Sequence, residues 1–130
     1  MRVYYEDTDL GGVVYYANYL RFMERARTEW LRAAGVDQTR LLAEHGLLFV
    51  IVGCELAYLR PARFDDLLDV SVVPTAKGRS RFTVEQEVRR GAEVLVTGRV
   101  SAACIDAASF RPRGMPASVR ELLERRVDVD

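Results

Sequence analysis

The chain has 130 residues, of which 49% are apolar and 29% charged, with 19 basic residues balancing 19 acidic ones. That is the size and composition of one soluble domain, large enough to bury a core without disulfides or a structural metal. A formal net charge of zero argues against a general nucleic-acid binder, which carries excess positive charge, and leaves little long-range repulsion against self-association.

Arg2–Glu6, rich in Val and Tyr, predicts a short strand, and the acidic, glycine-bearing turn Asp7–Gly12 follows it. Asn18–Ala34 predicts an amphipathic helix: Tyr19, Phe22, Met23, Ala26, Trp30 and Ala33 recur at helical spacing, and Leu20 and Leu31 widen that face enough to predict a largely enclosed helix. Gly35 is a natural stop. Asp37 is an N-cap for a second, shorter helix to about Glu44, ending near His45-Gly46.

From Leu47 the texture changes to strands. Leu47–Leu59 is a long β-rich run ended by Arg60-Pro61, and Leu67–Thr75 is a second. Arg81–Arg89 alternates Phe82, Val84, Gln86 and Val88 on one face; Val94–Ile105 alternates Val94, Val96, Gly98, Val100, Ala102 and Cys104. Turns at Lys77-Gly78 and Arg90–Ala92 separate these runs, and the short connections predict antiparallel neighbours. A Pro/Gly-bearing loop, Arg111–Pro116, and a short tail helix, Ser118–Arg126, close the chain. The expected architecture is α+β in a single domain over residues 1–130: a core of about 2–106, then a C-terminal loop and helix over 107–130. A sheet of about five strands has edges and a second face to cover, and a partner subunit is one way to cover them. Cys54 and Cys104 lie in apolar strand-like runs and are expected to be buried thiols. The polar N-terminus lacks a secretory pattern, and no apolar run reaches the ~18 residues of a membrane span. A cytoplasmic protein without stable membrane insertion is expected.

Chemistry concentrates at the start of the chain. Glu6, Asp7 and Asp9 fall within four positions, directly before a helix whose first N–H groups have no intrahelical acceptor. Asp9 stands beside Gly11 and Gly12, which let backbone approach a ligand. A carboxylate next to a helix N-terminus supplies a base or nucleophile together with an oxyanion-stabilising end, the minimum for acyl transfer. An acidic turn that only caps the helix is the plainer reading of the same residues. Other chemistries lack their residues. The one histidine, His45, sits near a helix end, and no Gly-x-Ser-x-Gly elbow occurs. Zinc ligands at close spacing are missing, as are phosphate-binding glycine loops. No cofactor or metal is called for.

The run Tyr4-Tyr5-Glu6-Asp7-Thr8-Asp9-Leu10-Gly11-Gly12-Val13-Val14-Tyr15 resembles the signature of the 4-hydroxybenzoyl-CoA thioesterase branch of the hotdog-fold superfamily. Within that branch it is similar to the acyl-CoA thioesterases associated with the Tol–Pal system. The resemblance continues through Tyr19–Glu29 and returns at Leu59–Asp66. It implies a long central helix wrapped by an antiparallel sheet of about five strands, in a dimer or tetramer with sites at subunit interfaces. It implies hydrolysis of an acyl-CoA to a carboxylic acid and free CoA. Asp9 falls at the family's catalytic aspartate, as nucleophile or as general base. Many Tol–Pal-associated members carry His where this chain has Tyr16. The 4-hydroxybenzoyl-CoA thioesterases can have Tyr there and polarise the thioester carbonyl with the backbone N–H at this position, so the resemblance implies the Tyr16 N–H as the candidate oxyanion donor, a role that tolerates a change of side chain. Gly11, Gly12, Val13 and Tyr15 become substrate-lining candidates. Lys77, Arg79 and Arg81 around one turn, with Arg60 elsewhere, become candidates for the CoA phosphates. The rival readings are a non-catalytic acyl-CoA binder or scaffold, and a thioesterase acting on acyl carrier protein. The acyl group itself is not legible: Tyr15, Tyr16, Tyr19 and Tyr58 suit an aromatic or an aliphatic pocket equally.

Overall fold

A computed structural model describes residues 1–127; positions 128–130, the end of the expected C-terminal segment, lie outside the described residues. Helix α1 spans Asn18–Ala33 and α2 spans Gln38–His45. The strands are β1 (Leu47–Tyr58), β2 (Asp69–Val70), β3 (Val73–Lys77), β4 (Arg81–Arg90) and β5 (Glu93–Asp106), and α3 spans Ala117–Val127. The five strands form one antiparallel sheet in the order β1-β5-β4-β2, with β3 also on β4. This is the α+β arrangement expected from the sequence.

The elements form where their chemistry directs. Asp37 caps α2, its Oδ1 accepting from Thr39 N at 2.9 Å and Arg40 N at 3.3 Å, and Gly46 closes it at φ 65°, a conformation glycine adopts without steric cost. On β4, Phe82, Val84, Gln86 and Val88 are all buried, and on β5 so are Val96, Val100, Ala102 and Cys104. α1 lies on this face with Tyr19, Phe22, Met23 and Leu31 inward. Gly98 is its seat: a Cβ there would stand 2.8 Å from Leu56 Cδ2 and 3.0 Å from Met23 Sδ. The buried amide of Gln86 ties the two layers, donating to Met23 O at 3.1 Å and accepting from Arg27 Nη1 at 2.8 Å. The core has two parts. One, beneath the first half of α1, gathers Val3, Val14, Leu68 and Leu95; the other, beneath its second half, takes in Met115, Val119, Leu122 and Leu123 from α3 and the segment before it.

Five expectations are corrected. Arg2–Glu6 is not a strand. Arg2 makes a single bridge to Leu67, and Tyr5–Asp7 is one 3₁₀ turn, because the Asp7 carboxylate captures the Tyr4 N–H (3.0 Å) and bends the chain. The Leu67–Thr75 run is broken into β2 and β3, with Ser71 Oγ accepting from Glu87 N at 3.0 Å in the gap. β1 does not pair with the strand that follows it; it pairs with β5, leaving its other edge free among the described residues. Finally, α1 is only half enclosed and Cys54 is exposed. The bulge at Val52 keeps Ile51 and Cys54 on the helix-facing side of β1, but α1 does not reach over this edge. Between them runs a groove of about 480 Å³ lined by Leu20, Arg27, Trp30, Phe49, Ile51 and Cys54 among others.

Candidate active site

The Asp9 turn is a small hairpin. Thr8 bridges to Val14, Asp9 N donates to Val13 O (3.0 Å) and Gly12 N to Asp9 O (3.0 Å). Gly12 closes it at φ 77°, a conformation that strains residues with a Cβ. The returning arm is fixed to the 62–63 segment through a Val13–Arg63 bridge and a bond from Val14 N to Ala62 O (2.8 Å). The three clustered carboxylates separate into different roles. Asp7 is buried: besides binding Tyr4 N, its backbone oxygen accepts from Tyr15 N (3.0 Å) and Asn18 Nδ2 (2.9 Å), locking the hairpin to the start of α1. Glu6 points outward and is exposed. Asp9 is exposed, and its Oδ1 turns back to accept the Gly11 N–H at 2.8 Å. A Cβ at Gly11 would sit 3.2 Å from that oxygen, so the small residue leaves room for the carboxylate. Oδ2 has no protein donor among the described residues.

α1 opens with tight turns: Asn18 N donates to Tyr15 O, Tyr19 N to Tyr16 O and Leu20 N to Ala17 O, at 2.9, 3.3 and 3.2 Å. The N–H groups of Tyr16 and Ala17, one step earlier, have no acceptor among the described residues. They are free donors at the positive end of a 16-residue helix. Ala17 N–H was not singled out from the sequence; the signal for it is only its place beside Tyr16 at the helix start.

Around these donors the aromatic side chains form a wall. The Tyr15 and Tyr16 rings are 4.8 Å apart, Tyr16 meets Tyr58 edge-on at 6.2 Å, and Tyr58 lies 5.8 Å from Tyr19. Tyr19 is buried, and its hydroxyl accepts from Ala62 N at 3.0 Å. Burial pushes its phenol up from the ordinary value, against the lowering effect of that bond. The Tyr15 phenol is also raised, chiefly by the neighbouring Tyr16 hydroxyl. A cavity of about 250 Å³ opens here between Val14, Tyr16, Tyr19, Tyr58 and Arg60.

The structure gathers Asp9, Gly11, Gly12, Val13, Tyr15, Tyr16 and Arg60 at one end of the sheet. Arg60 is held by Glu93 at 3.2 Å. Lys77, Arg79 and Arg81 stand at the other end, where β4 begins. The Asp9 end is marked by Arg90, the last residue of β4, which bonds Asp66 at 2.7 Å, so nearly the whole of β4, roughly 30 Å at strand rise, separates the two groups. Within one chain, the cation cluster and Asp9 do not share a site. Lys77 is itself occupied by Glu124 at 2.9 Å.

A long helix packed on one face of a five-stranded antiparallel sheet, entered through an acidic hairpin, is the hotdog arrangement. The chain belongs to the Thioesterase-like superfamily, whose family model matches residues 3–123. Its relatives include the acyl-CoA thioesterase YbgC of Haemophilus influenzae, 42% identical over 92% of this chain and 88% of that protein. The acyl-CoA thioester hydrolase YbgC of Escherichia coli O6:H1 is 40% identical over 92% of this chain and 89% of that one. Among solved structures, a probable thioesterase from Bartonella henselae superposes with a TM-score of 0.85 at 39% identity, covering 89% of this chain and 95% of that one. The hotdog fold and the resemblance to the Tol–Pal-associated thioesterases are therefore borne out.

Proposed function

We propose that this chain hydrolyses an acyl-CoA thioester to a carboxylic acid and free CoA, with Asp9 as the reacting carboxylate. The observation that carries the mechanism is the free Asp9 Oδ2 on a rigid hairpin hydrogen-bonded to the start of a helix whose first amides lack acceptors. The Tyr16 N–H polarises the thioester carbonyl and stabilises the oxyanion that develops on it. Asp9 then either attacks the carbonyl carbon, expelling CoA thiolate and forming an anhydride that water cleaves, or removes a proton from an attacking water. The activity of the YbgC relatives supports the reaction class. The groove along α1 gives an acyl group apolar room.

The protein acts as a dimer or a pair of dimers in the cytoplasm. No helix among the described residues is long and apolar enough to cross a membrane, and β1 offers an edge of 12 residues, unpaired among the described residues, with Ile51, Val52 and Tyr58 about half exposed. Free strand edges invite pairing. A panel of short-chain, long-chain and aromatic acyl-CoAs, followed by thiol release, tests the reaction. Release from at least one member is expected; folded, oligomeric protein that releases thiol from none refutes it. Saturable binding of CoA esters without release identifies a binding protein instead, and preference for acyl-carrier-protein esters a different hydrolase.

A further inference from the structure

The groove beside α1 is apolar on its floor, where Val100 and Ala102 of β5 meet Phe82 of β4, all three buried. Its wall nevertheless holds a half-buried cation. Arg27 lines the groove from α1, and its Nη1 donates to Gln86 Oε1 at 2.8 Å. Gln86 is neutral, and Arg27 has no ion pair and no second acceptor among the described residues. Burial lowers its guanidinium from the ordinary value, with Glu24 acting the other way, but arginine stays charged at any working pH. Arg21 and Glu24 line the same groove, and Arg21 donates to Asn18 Oδ1 at 3.2 Å. Cys54 lines the opposite wall from β1. The groove therefore carries two cations against one carboxylate, and Arg27 is the least exposed of the three. A cation withdrawn from water without a counter-ion is costly. A ligand carboxylate offsets that cost and takes up the guanidinium donors that Gln86 leaves.

We infer that Arg27 makes this groove select acyl groups that end in a carboxylate remote from the thioester, as in the mono-CoA thioesters of linear dicarboxylic acids. This rests on the thioesterase reading, with the carbonyl at the Tyr16 N–H. The length follows from the helix. Gln86 also donates to Met23 O at 3.1 Å, so the Arg27 guanidinium lies beside the Met23 turn, leaning toward the helix start as helical side chains do. Met23 follows Tyr16 by seven residues, about 10 Å at helical rise. Leu20, one turn after Tyr16, lines the groove between them. An acyl chain that enters past Leu20 and spans this distance brings its far end to Arg27. A plain aliphatic chain fills the same space but shuts the guanidinium away unpaired, which counts against it. A short diacid such as succinate does not reach.

The test measures kcat/KM of the wild type on sebacoyl-CoA, its monomethyl ester and decanoyl-CoA, with succinyl-CoA and butyryl-CoA as a short pair. Sebacoyl-CoA is expected to exceed both of its long neutral counterparts by about tenfold or more, and succinyl-CoA to gain nothing over butyryl-CoA. Equal values for sebacoyl-CoA and its methyl ester overturn the proposal, whatever the variants do. Arg27→Gln, whose amide can still donate to Gln86, is expected to cut kcat/KM for sebacoyl-CoA about tenfold while decanoyl-CoA loses no more than about twofold. Arg27→Lys keeps the charge and should keep most of the preference. Equal losses on the two esters would mean that Arg27 only ties α1 to β4, and would overturn the assignment. Calorimetry with thioether analogues, in which a methylene replaces the thioester carbonyl, separates this from failure of the hydrolase reading. If wild type releases thiol from none of the esters, binding of the carboxylate-ended analogue about tenfold tighter than its methyl ester, lost in Arg27→Gln, still supports the site. Equal binding of the two analogues overturns it.

Discussion

At the scale of single residues, Asp9 and Tyr16 make opposite demands on substitution. In the proposed mechanism Asp9 works through its side chain, while one of its oxygens also holds the Gly11 N–H. Asp9→Asn keeps an oxygen acceptor for that bond and removes the reactive carboxylate. Turnover is expected to fall by about 10²–10⁴-fold with an unchanged circular dichroism spectrum and melting temperature; near-wild-type thiol release would exclude Asp9 from the chemistry. In the same proposal Tyr16 works through its backbone. Tyr16→Phe should retain turnover within a few-fold. Tyr16→Pro, at the second position of the turn closed by the Asn18 N–H on Tyr15 O, where proline is favoured, deletes the N–H and should lower kcat by about 10²–10³-fold, the usual effect of losing an oxyanion donor. Equal kinetics for the two variants would return the oxyanion role to another group, Ala17 N–H first. The sequence exposed Asp9 because an acidic residue, a glycine pair and a helix start are local features. It did not separate the three acidic residues by role, since only the fold shows that Asp7 is buried and bonded on three sides while Asp9 faces outward.

At the scale of elements, the helices and the two long strands were legible because a buried face repeats at 3.6 or 2 residues. Arg2–Glu6 was not: its Val and Tyr content fits a strand, but a strand needs a partner and the Asp7 carboxylate competes for its backbone. Cys54 misled for a related reason, since apolar neighbours on an edge strand mark a surface to be covered as readily as a core. Two contacts decide how these elements stay aligned. At Gly98, alanine drives a methyl into Met23 and Leu56, and Gly98→Ala is expected to cost about 1–3 kcal/mol, read as a lower urea midpoint at constant slope. Asp66 ties the 59–66 loop to β4. Partial burial works against its charged form, but bonds from Arg63 N (2.8 Å) and Arg90 (2.7 Å) outweigh that and hold its carboxyl below the ordinary range. Its contribution is therefore complete above the unfolded value of about 3.9 and is lost as pH falls through the lower folded value. Asp66→Asn should lose about 1–3 kcal/mol at neutral pH, and its stability should decline less than that of wild type on acidification. Parallel declines in the two proteins would remove Asp66 from the acid response.

At the scale of the whole molecule, the proposed oligomer accounts for three features of the single chain. A groove of about 480 Å³ runs beside β1, whose outer edge is unpaired among the described residues and carries the exposed Ile51, Val52 and Tyr58, and Arg79 and Arg81 stand a strand's length from Asp9. Antiparallel pairing of β1 with its copy answers all three at once: it extends the sheet, shelters the groove and brings opposite ends together. The pairing is self-complementary, as a two-fold interface requires. It is also vulnerable to charge, because like charges placed opposite one another across a strand pair destabilise it. Ile51→Lys/Val52→Lys is therefore expected to leave the chain folded, with α1 and β4 packed as before, and to shift its mass in solution to that of the monomer, measured by light scattering. Turnover of the acyl-CoA should fall with the oligomer, and KM should rise at protein concentrations where dimer and monomer coexist. A folded monomer that retains full activity at low KM would show that each chain carries a complete site and would remove β1 from the catalytic assembly.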